Sequence, residues 1–272
     1  MQQILTYTFL VFYTVTILSI VLVIITDNRN PLKTLPWIIV LVFAPVVGLV
    51  FYFFFGQNLS KRRIISRRTR RRITMQLEEA RDTGRPEIPE EHRRLAALLY
   101  STTHSVALYG SRITPYTDGR SKMEALLAEI ARAKHHIHIQ YYIFCDDETG
   151  RRLRDALVEK VRQGVEVRIL YDDVGCSGVK KDFFEGMRRE GIEVFSFLHV
   201  KFPLFTSKVN YRNHRKIAVI DGRVGFIGGM NVADRYVRGT GWGSWRDTHF
   251  RSEGSGAAGL QGSFLRYCSA TT

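Results

Sequence analysis

The sequence has 272 residues, 45% of them apolar, which is enough chain and enough hydrophobic material for one large or two small packed domains; a disordered chain is excluded as the starting expectation. The formal charge of +14 suggests a nucleic-acid binder only until it is located. Lys61, Arg62, Arg63, Arg67, Arg68, Arg70, Arg71 and Arg72 supply eight positives with no acid among them, and setting these aside leaves an unremarkable +6. The three cysteines, Cys145, Cys176 and Cys268, lie far apart without a CxxC pair, so neither a zinc site nor a disulfide framework is indicated and a reducing compartment fits.

Residues 1–26 carry no charged side chain, and the apolar stretch 4–25 is long enough to cross a bilayer. A signal peptide would open on positive charge and close on small residues, which Met1-Gln2-Gln3 and Ile24-Ile25-Thr26-Asp27 do not, so the segment reads as a retained transmembrane helix. After a polar turn at 26–33, a second uncharged run at 35–56 is again of spanning length, with Trp37 and Tyr52 near its ends as interfacial anchors. Pro45 lies mid-span, where a neighbouring helix or a local adjustment can satisfy the freed carbonyl. The alternative is a buried hairpin of a soluble protein; the length of both runs and the charge that follows them argue against it. Lys and Arg accumulate on the cytoplasmic side, so the collar at 61–72 places both termini there. That collar is a topology signal, and against anionic headgroups each charge adds about 1 kcal/mol of attraction.

Residues 78–91 are polar and contain Pro86 and Pro89, which reads as a linker. The expected organisation is an anchor at 1–60, a collar and linker at 61–95, and a folded domain from 96 to the end. Met123, Leu126, Leu127 and Ile130 recur at helical spacing within a helix at 121–134. Ile137, Ile139, Tyr141 and Ile143 then alternate with His136, His138, Gln140 and Tyr142, the period of a strand at 135–144. A helix at 150–163, with Leu153, Leu157 and Val161 on one face, leads to a strand at 165–171, and a helix at 181–190 leads to one at 192–197. Strands alternating with helices predict an α/β sandwich with a largely parallel sheet. The last recognisable unit is a hairpin, 214–220 and 224–227 around a turn at Asp221-Gly222.

That hairpin contains His214-Arg215-Lys216-Ile217-Ala218-Val219-Ile220-Asp221, an HxKxxxxD pattern, followed by Gly228-Gly229-Met230-Asn231. In a strand, residues two apart share a face, so His214 and Lys216 project together while Ile217 and Val219 point the other way into a core. A nucleophile beside a fixed positive charge is what attack on a phosphodiester requires: a neutral imidazole displaces the leaving group while cations and donors hold the non-bridging oxygens. Asn231, reached after two glycines that let the backbone approach closely, is a candidate donor. The plain alternative for His214 and Lys216 is a solvated strand face. Asp247 has its own alternatives, a pair with Arg246 or a cap. His136 and His138 share a face but lack a third ligand at a persuasive spacing, so packing outweighs metal binding; packing is also the plainer reading of Trp242 and Trp245, and solvent-facing charge that of Arg235 and Arg246.

Together with these elements, Asn30-Pro31 through Gly56, Tyr141-Tyr142-Ile143-Phe144, Arg212-Asn213-His214, Asn231-Val232-Ala233-Asp234 and Trp245-Arg246-Asp247-Thr248-His249 resemble the phospholipase D superfamily, and within it the bacterial cardiolipin synthases. One HxKxxxxD alone is a weak pattern; the set, spread over about residues 30 to 265, is specific. The resemblance implies a phospholipase D-like half-domain behind two N-terminal transmembrane helices in the bacterial inner membrane, with the catalytic domain cytoplasmic. It implies phosphatidyl transfer between two phosphatidylglycerol molecules through a phosphohistidine on His214, giving cardiolipin and glycerol, with no cofactor or metal. Lys216 and Asn231 would bind the phosphate oxygens. Asp247 matches the acid that orients the imidazole, whereas Asp221, counted in the catalytic motif, more naturally organises the turn.

In the resembled enzymes two such halves face each other, and this chain has one. His199-Val200-Lys201 places Thr206 where the aspartate belongs and is not a second copy. The expected partners are phosphatidylglycerol, anionic membrane lipids and either a second catalytic half or a second copy of the chain, with no nucleic acid. The competing readings are a membrane-tethered phosphodiesterase acting as a homodimer and an inactive truncated fragment.

Overall fold

The computed structural model describes residues 1–26, 31–44, 47–48, 51–52, 88–103, 107–108, 110–198, 212–241, 243 and 245–268. These fall into two compact units, one holding the described residues up to 52 and the other those from 88 onward.

In the first unit, α1 (Gln2–Thr26) packs on α2 (Pro31–Phe43). The hydroxyls of Thr6, Thr8 and Thr14 each donate to the carbonyl four residues back, so these polar atoms are satisfied within the helix. The outer surface is left apolar, with Ile4, Leu5, Phe9 and Leu18 exposed. Trp37 meets Tyr52 edge-on at 5.5 Å. Counting only the described side chains, no helix is long and apolar enough to cross a membrane. The backbone of α1 nevertheless continues for 25 residues without a charged one, roughly 37 Å at 1.5 Å per residue. Pro45, the basic residues at 61–72, Pro86 and the His199-Val200-Lys201 stretch lie outside the described residues, whereas Pro89 is described and its carbonyl accepts from His92 N at 2.9 Å.

The second unit opens with α3 (Glu90–Thr103), which begins inside the expected linker and runs across the expected start of the domain at 96; Glu90 and Glu91 in its first turn suit the positive end of the helix dipole. Then come β1 (Arg112–Tyr116), α4 (Gly119–Arg132), β2 (His136–Tyr141), α5 (Glu148–Arg162), β3 (Glu166–Asp172), α6 (Lys181–Arg189) and β4 (Glu193–Phe197). The chain closes with β5 (Ile217–Ile220), β6 (Val224–Gly228), the short α7 (Asp234–Val237), β7 (His249–Glu253) and α8 (Ser255–Cys268). Side-chain caps start two helices: Asp118 accepts from Ser121 N before α4, and Asp147 from Gly150 N before α5.

The seven strands form one sheet in the order β1-β7-β6-β5-β2-β3-β4. Only β2–β3 and β3–β4 pair in parallel; the other four pairings are antiparallel, so the expectation of a largely parallel sheet is corrected to a mixed one. The cause is connectivity. Crossover helices α5 and α6 force parallel neighbours, whereas the tight turn at Asp221-Gly222 returns the chain beside itself.

Both faces are covered, as an α/β/α sandwich requires. On one side Met123, Leu126, Leu153, Leu157, Phe183 and Met187 from α4, α5 and α6 bury Ile137, Ile139, Ile169, Ala218, Ile220 and Phe226. On the other, Phe264 and Cys268 of α8 pack on Leu170 and Phe197. Because β5 and β7 run against β2, β3 and β6, one edge of the sandwich gathers Tyr141, Asp172 and Gly228 at strand ends with Ile217 and His249 at strand starts. Ligands of open α/β sheets bind at the carboxyl ends of parallel strands.

Candidate active site

His214 and Lys216 stand on this edge, in the extended lead-in just before β5 begins. The strand starts three residues later than expected, yet the two side chains still meet. Lys216 Nζ lies 2.9 Å from His214 Nδ1 and donates to the His214 carbonyl at 2.6 Å. His214 is exposed, with the Tyr142 ring 4.4 Å from its imidazole, whereas Lys216 is buried at 2% exposure. Partial burial and then the Lys216 charge push the His214 pKa down, partly offset by Asp172. The imidazole is therefore neutral near pH 7, the state a nucleophile needs. Burial brings the Lys216 pKa down to about 8, with Asp247 acting in the opposite sense.

Asp172 was not anticipated from the motif. It sits at the carboxyl end of β3, where it accepts from Val174 N and Gly175 N at 3.0 Å. Its other oxygen accepts from Asn213 N at 2.9 Å, and Arg212 approaches at 3.3 Å, so one buried carboxylate fixes the segment that presents His214. The carboxyl-end rule for parallel strands was the available signal.

The two glycines before Asn231 have separate reasons. A Cβ on Gly229 would stand 2.1 Å from Asp247 Oδ1, and one on Gly228 would stand 2.5 Å from the His249 Cα and 2.7 Å from its Nδ1. The pair thus makes room for two side chains of the Trp245–His249 stretch. The Asp247 carboxylate accepts from Thr248 N at 2.7 Å and acts electrostatically on Lys216; its described interactions do not reach His214. Asn231 is buried, accepting from Ile143 N at 3.0 Å and donating to Tyr236 Oη at 2.9 Å, which leaves one amide hydrogen for another partner.

Asp221 does not join the other site residues. At the far end of β5 it has a left-handed backbone (φ 52°), and its carboxylate accepts from Lys134 N, His135 N and His136 N at 2.8 to 3.0 Å. Its three bonds hold its pKa below the usual carboxylate range despite partial burial. Asp221 therefore locks the entry to β2 and touches nothing at the reacting end.

Of the remaining singled-out residues, His138 is buried, His136 and Arg235 are half-buried, the last against the expectation of solvent-facing charge, and Trp245 is exposed. His138 is stacked on Phe264 at 4.5 Å and accepts from Gln261 at 2.7 Å through Nδ1. Burial first, then His136, lowers its pKa to about 4, so its 3.7 Å approach to Glu166 is a contact of a neutral ring rather than an ion pair. Arg235 lies over Trp245, which meets Tyr236 edge-on; Arg246 is exposed; Trp242 is outside the described residues.

Comparison with known proteins follows the same residues. Residues 126–240 match the family model described as "Cardiolipin synthase, PLD-like domain", and 12–57 match "Phospholipase_D-nuclease N-terminal". "Major cardiolipin synthase ClsA" of Bacillus subtilis (strain 168) is 36% identical over 264 residues, covering 93% of this chain and 55% of that protein. "Cardiolipin synthase" of Halalkalibacterium halodurans is 38% identical over 269 residues, covering 95% and 52%. The chain spans about half the length of the curated relatives it matches. Through the PLD-like domain match and the identity that runs from the N-terminal helices to the last strand, the chain belongs to the phospholipase D superfamily, among the relatives of the bacterial cardiolipin synthases.

Proposed function

We propose that this chain supplies a catalytic half of a phosphatidyltransferase that joins two phosphatidylglycerol molecules into cardiolipin and releases glycerol. The observation that carries the reading is the contact of Lys216 Nζ with His214 Nδ1 at the ligand-binding edge of the sheet. In the first step an imidazole nitrogen of His214 attacks phosphorus, the bond to the glycerol oxygen breaks, and the departing alkoxide takes a proton. In the second, the hydroxyl of another phosphatidylglycerol loses a proton and attacks the phosphohistidine, freeing His214.

The resting contact constrains the first step. While Nδ1 accepts from Lys216, the ring proton of the neutral imidazole sits on Nε2, and Nε2 cannot attack. An incoming phosphate draws Lys216 onto its own oxygens, Nδ1 takes the proton, and Nε2 is freed. Asp172, buried and electrostatically coupled to His214, is the acid placed to favour that tautomer; Asp247 instead acts electrostatically on Lys216. Asn231 adds its unspent amide hydrogen to the phosphate oxygens, and Asp221 remains structural.

One phosphorylated histidine cannot also protonate the leaving alkoxide. That acid–base assistance is typically worth 10²–10⁴-fold, and it falls to a second half or to a second copy of the chain. His214→Ala is expected to abolish cardiolipin formation in any assembly that makes it from phosphatidylglycerol. Near-normal turnover by that variant would sink the assignment.

The uncharged 25-residue α1 and the second apolar run support an anchor of two spans, with the basic collar holding the catalytic unit on the cytoplasmic side. Location reporters fused at Lys33 and at Gln57 should then lie on opposite sides of the membrane. Finding both on one side removes the two-span anchor.

A further inference from the structure

Behind Lys216 the sandwich buries a second lysine that the catalytic motif does not include. Lys122 of α4 is 1% exposed, and its Nζ donates to Tyr141 Oη at 2.7 Å. Among the described residues no carboxylate meets it, although a fully buried lysine is ordinarily paired. On its own helix Glu129 is occupied by Arg132, Arg223 and Arg251. Asp118 caps α4 through Ser121 N.

His249, the first residue of β7, is buried at the same edge of the sheet. It is 0% exposed, and neither ring nitrogen has a hydrogen-bond partner. Both Lys122 and Lys216 act on its ring electrostatically. Gly228 gives up its side chain so that this imidazole fits. Tyr141 from β2 bonds Lys122, the His249 ring from β7 feels both Lys122 and Lys216, and the nearby carboxylate, Asp247, bears on Lys216. A low-dielectric pocket holding two amines, an imidazole and no neutralising acid next to Lys122 favours the uncharged amine until an anion arrives.

We propose that Lys122 is a second, concealed cation of the phosphate site, coupled to Lys216 through His249, and that it takes up a proton when a phosphoryl anion binds. The inference rests on reading His214 and Lys216 as a phosphoryl site. Anion binding and the proton move together: the anion lands on Lys216, its field crosses the buried imidazole, and the Lys122 amine gains a proton from solvent. The added charge holds the phosphate more tightly and strengthens as negative charge grows on its oxygens. Burial alone already brings the Lys122 pKa down to about 7, which leaves that proton available for uptake near neutrality.

Sulfate is the probe, because it has no proton of its own to exchange at about pH 7.5. Calorimetry of the full chain in a non-ionic detergent, in two buffers of different ionisation enthalpy, counts the protons taken up per sulfate bound. Lys122→Met should bind sulfate several-fold more weakly and take up less, the deficit being on the order of half a proton. An unchanged uptake in a folded Lys122→Met overturns the proposal. No sulfate binding by the unaltered chain instead overturns the phosphoryl-site reading beneath it. A second measurement needs no variant: with ¹³Cε-lysine in the unaltered chain, two lysine resonances should lose a near-neutral titration step when sulfate saturates the site. Loss of that step from one resonance alone leaves Lys216 as the sole cation and refutes the role of Lys122.

Discussion

The two ends of the sheet treat their polar groups in opposite ways. At the Asp221 end the buried and half-buried carboxylates are bonded, although His136 Nε2 and Ser252 Oγ are left without partners. Asp221 takes three backbone N–H groups, and Glu129, Arg223, Arg251 and Glu253 close an ion-pair network across α4, β7 and the β5–β6 turn. At the His214 end Asp172 is fully bonded but much of the remaining buried polarity is unspent: both nitrogens of His249 and both amide atoms of Gln140 lack partners, and Lys122 has a phenol where an acid would serve it better. Unsatisfied buried polar atoms cost on the order of 1–3 kcal/mol each, so a fold tolerates them where a ligand completes them.

The contrast breaks most sharply on a pair of substitutions within one motif. Lys216→Ala should lower phosphatidyl transfer by about 10²–10³-fold, the usual consequence of losing one charge-stabilising donor. It should leave stability level or higher, since a partly desolvated amine is removed. Asp221→Ala should do the reverse: lose about 3 kcal/mol of stability as three N–H groups at the entry to β2 go unbonded, while the surviving folded fraction keeps its turnover. Turnover normalised to folded protein, together with urea midpoints in detergent, separates the two. A Asp221→Ala enzyme that is stable but inactive would return that aspartate to the catalytic set.

Much of this could be read from the chain because local patterns agree with the fold. The spacing of Leu153, Leu157 and Val161 sets α5 to within two residues and the alternation from Ile137 sets β2 to within three, as expected for strongly periodic segments. The His214–Lys216 contact was also visible, since residues two apart in extended chain face one way. Missing from the sequence reading were β1 and β7, five-residue strands whose partners are far away in sequence, so that nothing local marks them. With them went the sheet's antiparallel majority. Asp172 and Lys122 were missed for a related reason. Neither belongs to a short motif, and each reaches the site only because a crossover helix or strand end carries it there. The glycines of Gly228-Gly229 were read as freedom for the backbone, whereas what they leave is volume for His249 and Asp247.

The smallest effect concerns two buried histidines on opposite faces of the same sheet. His249, desolvated and flanked by Lys122 and Lys216, has its pKa pushed down to about 2, and His138, buried against Phe264, to about 4. In the unfolded chain both titrate near 6.5. Below that pH the unfolded state binds protons the folded state refuses, so stability is full above about pH 6.5 and falls as pH drops through it. For each ring the slope is about 1.4 kcal/mol per pH unit. His138 stops contributing to the fall near pH 4, whereas His249 continues toward pH 2. Between about pH 6.5 and 5 the chain should therefore lose roughly 3 kcal/mol from the pair, a window that stays above the carboxylate titrations. Amide hydrogen exchange in β2 and β7 of the detergent-solubilised chain reads this directly. His249→Gln should remove half of the slope, and His138→Gln the other half. Saturating sulfate should set them apart: an anion beside Lys216 stabilises a charged His249 but lies on the wrong face for His138, so the slope that sulfate flattens should be the one His249→Gln removes. Equal flattening in both variants would mean that the anion does not feel His249, and the contrast between the two faces would fail.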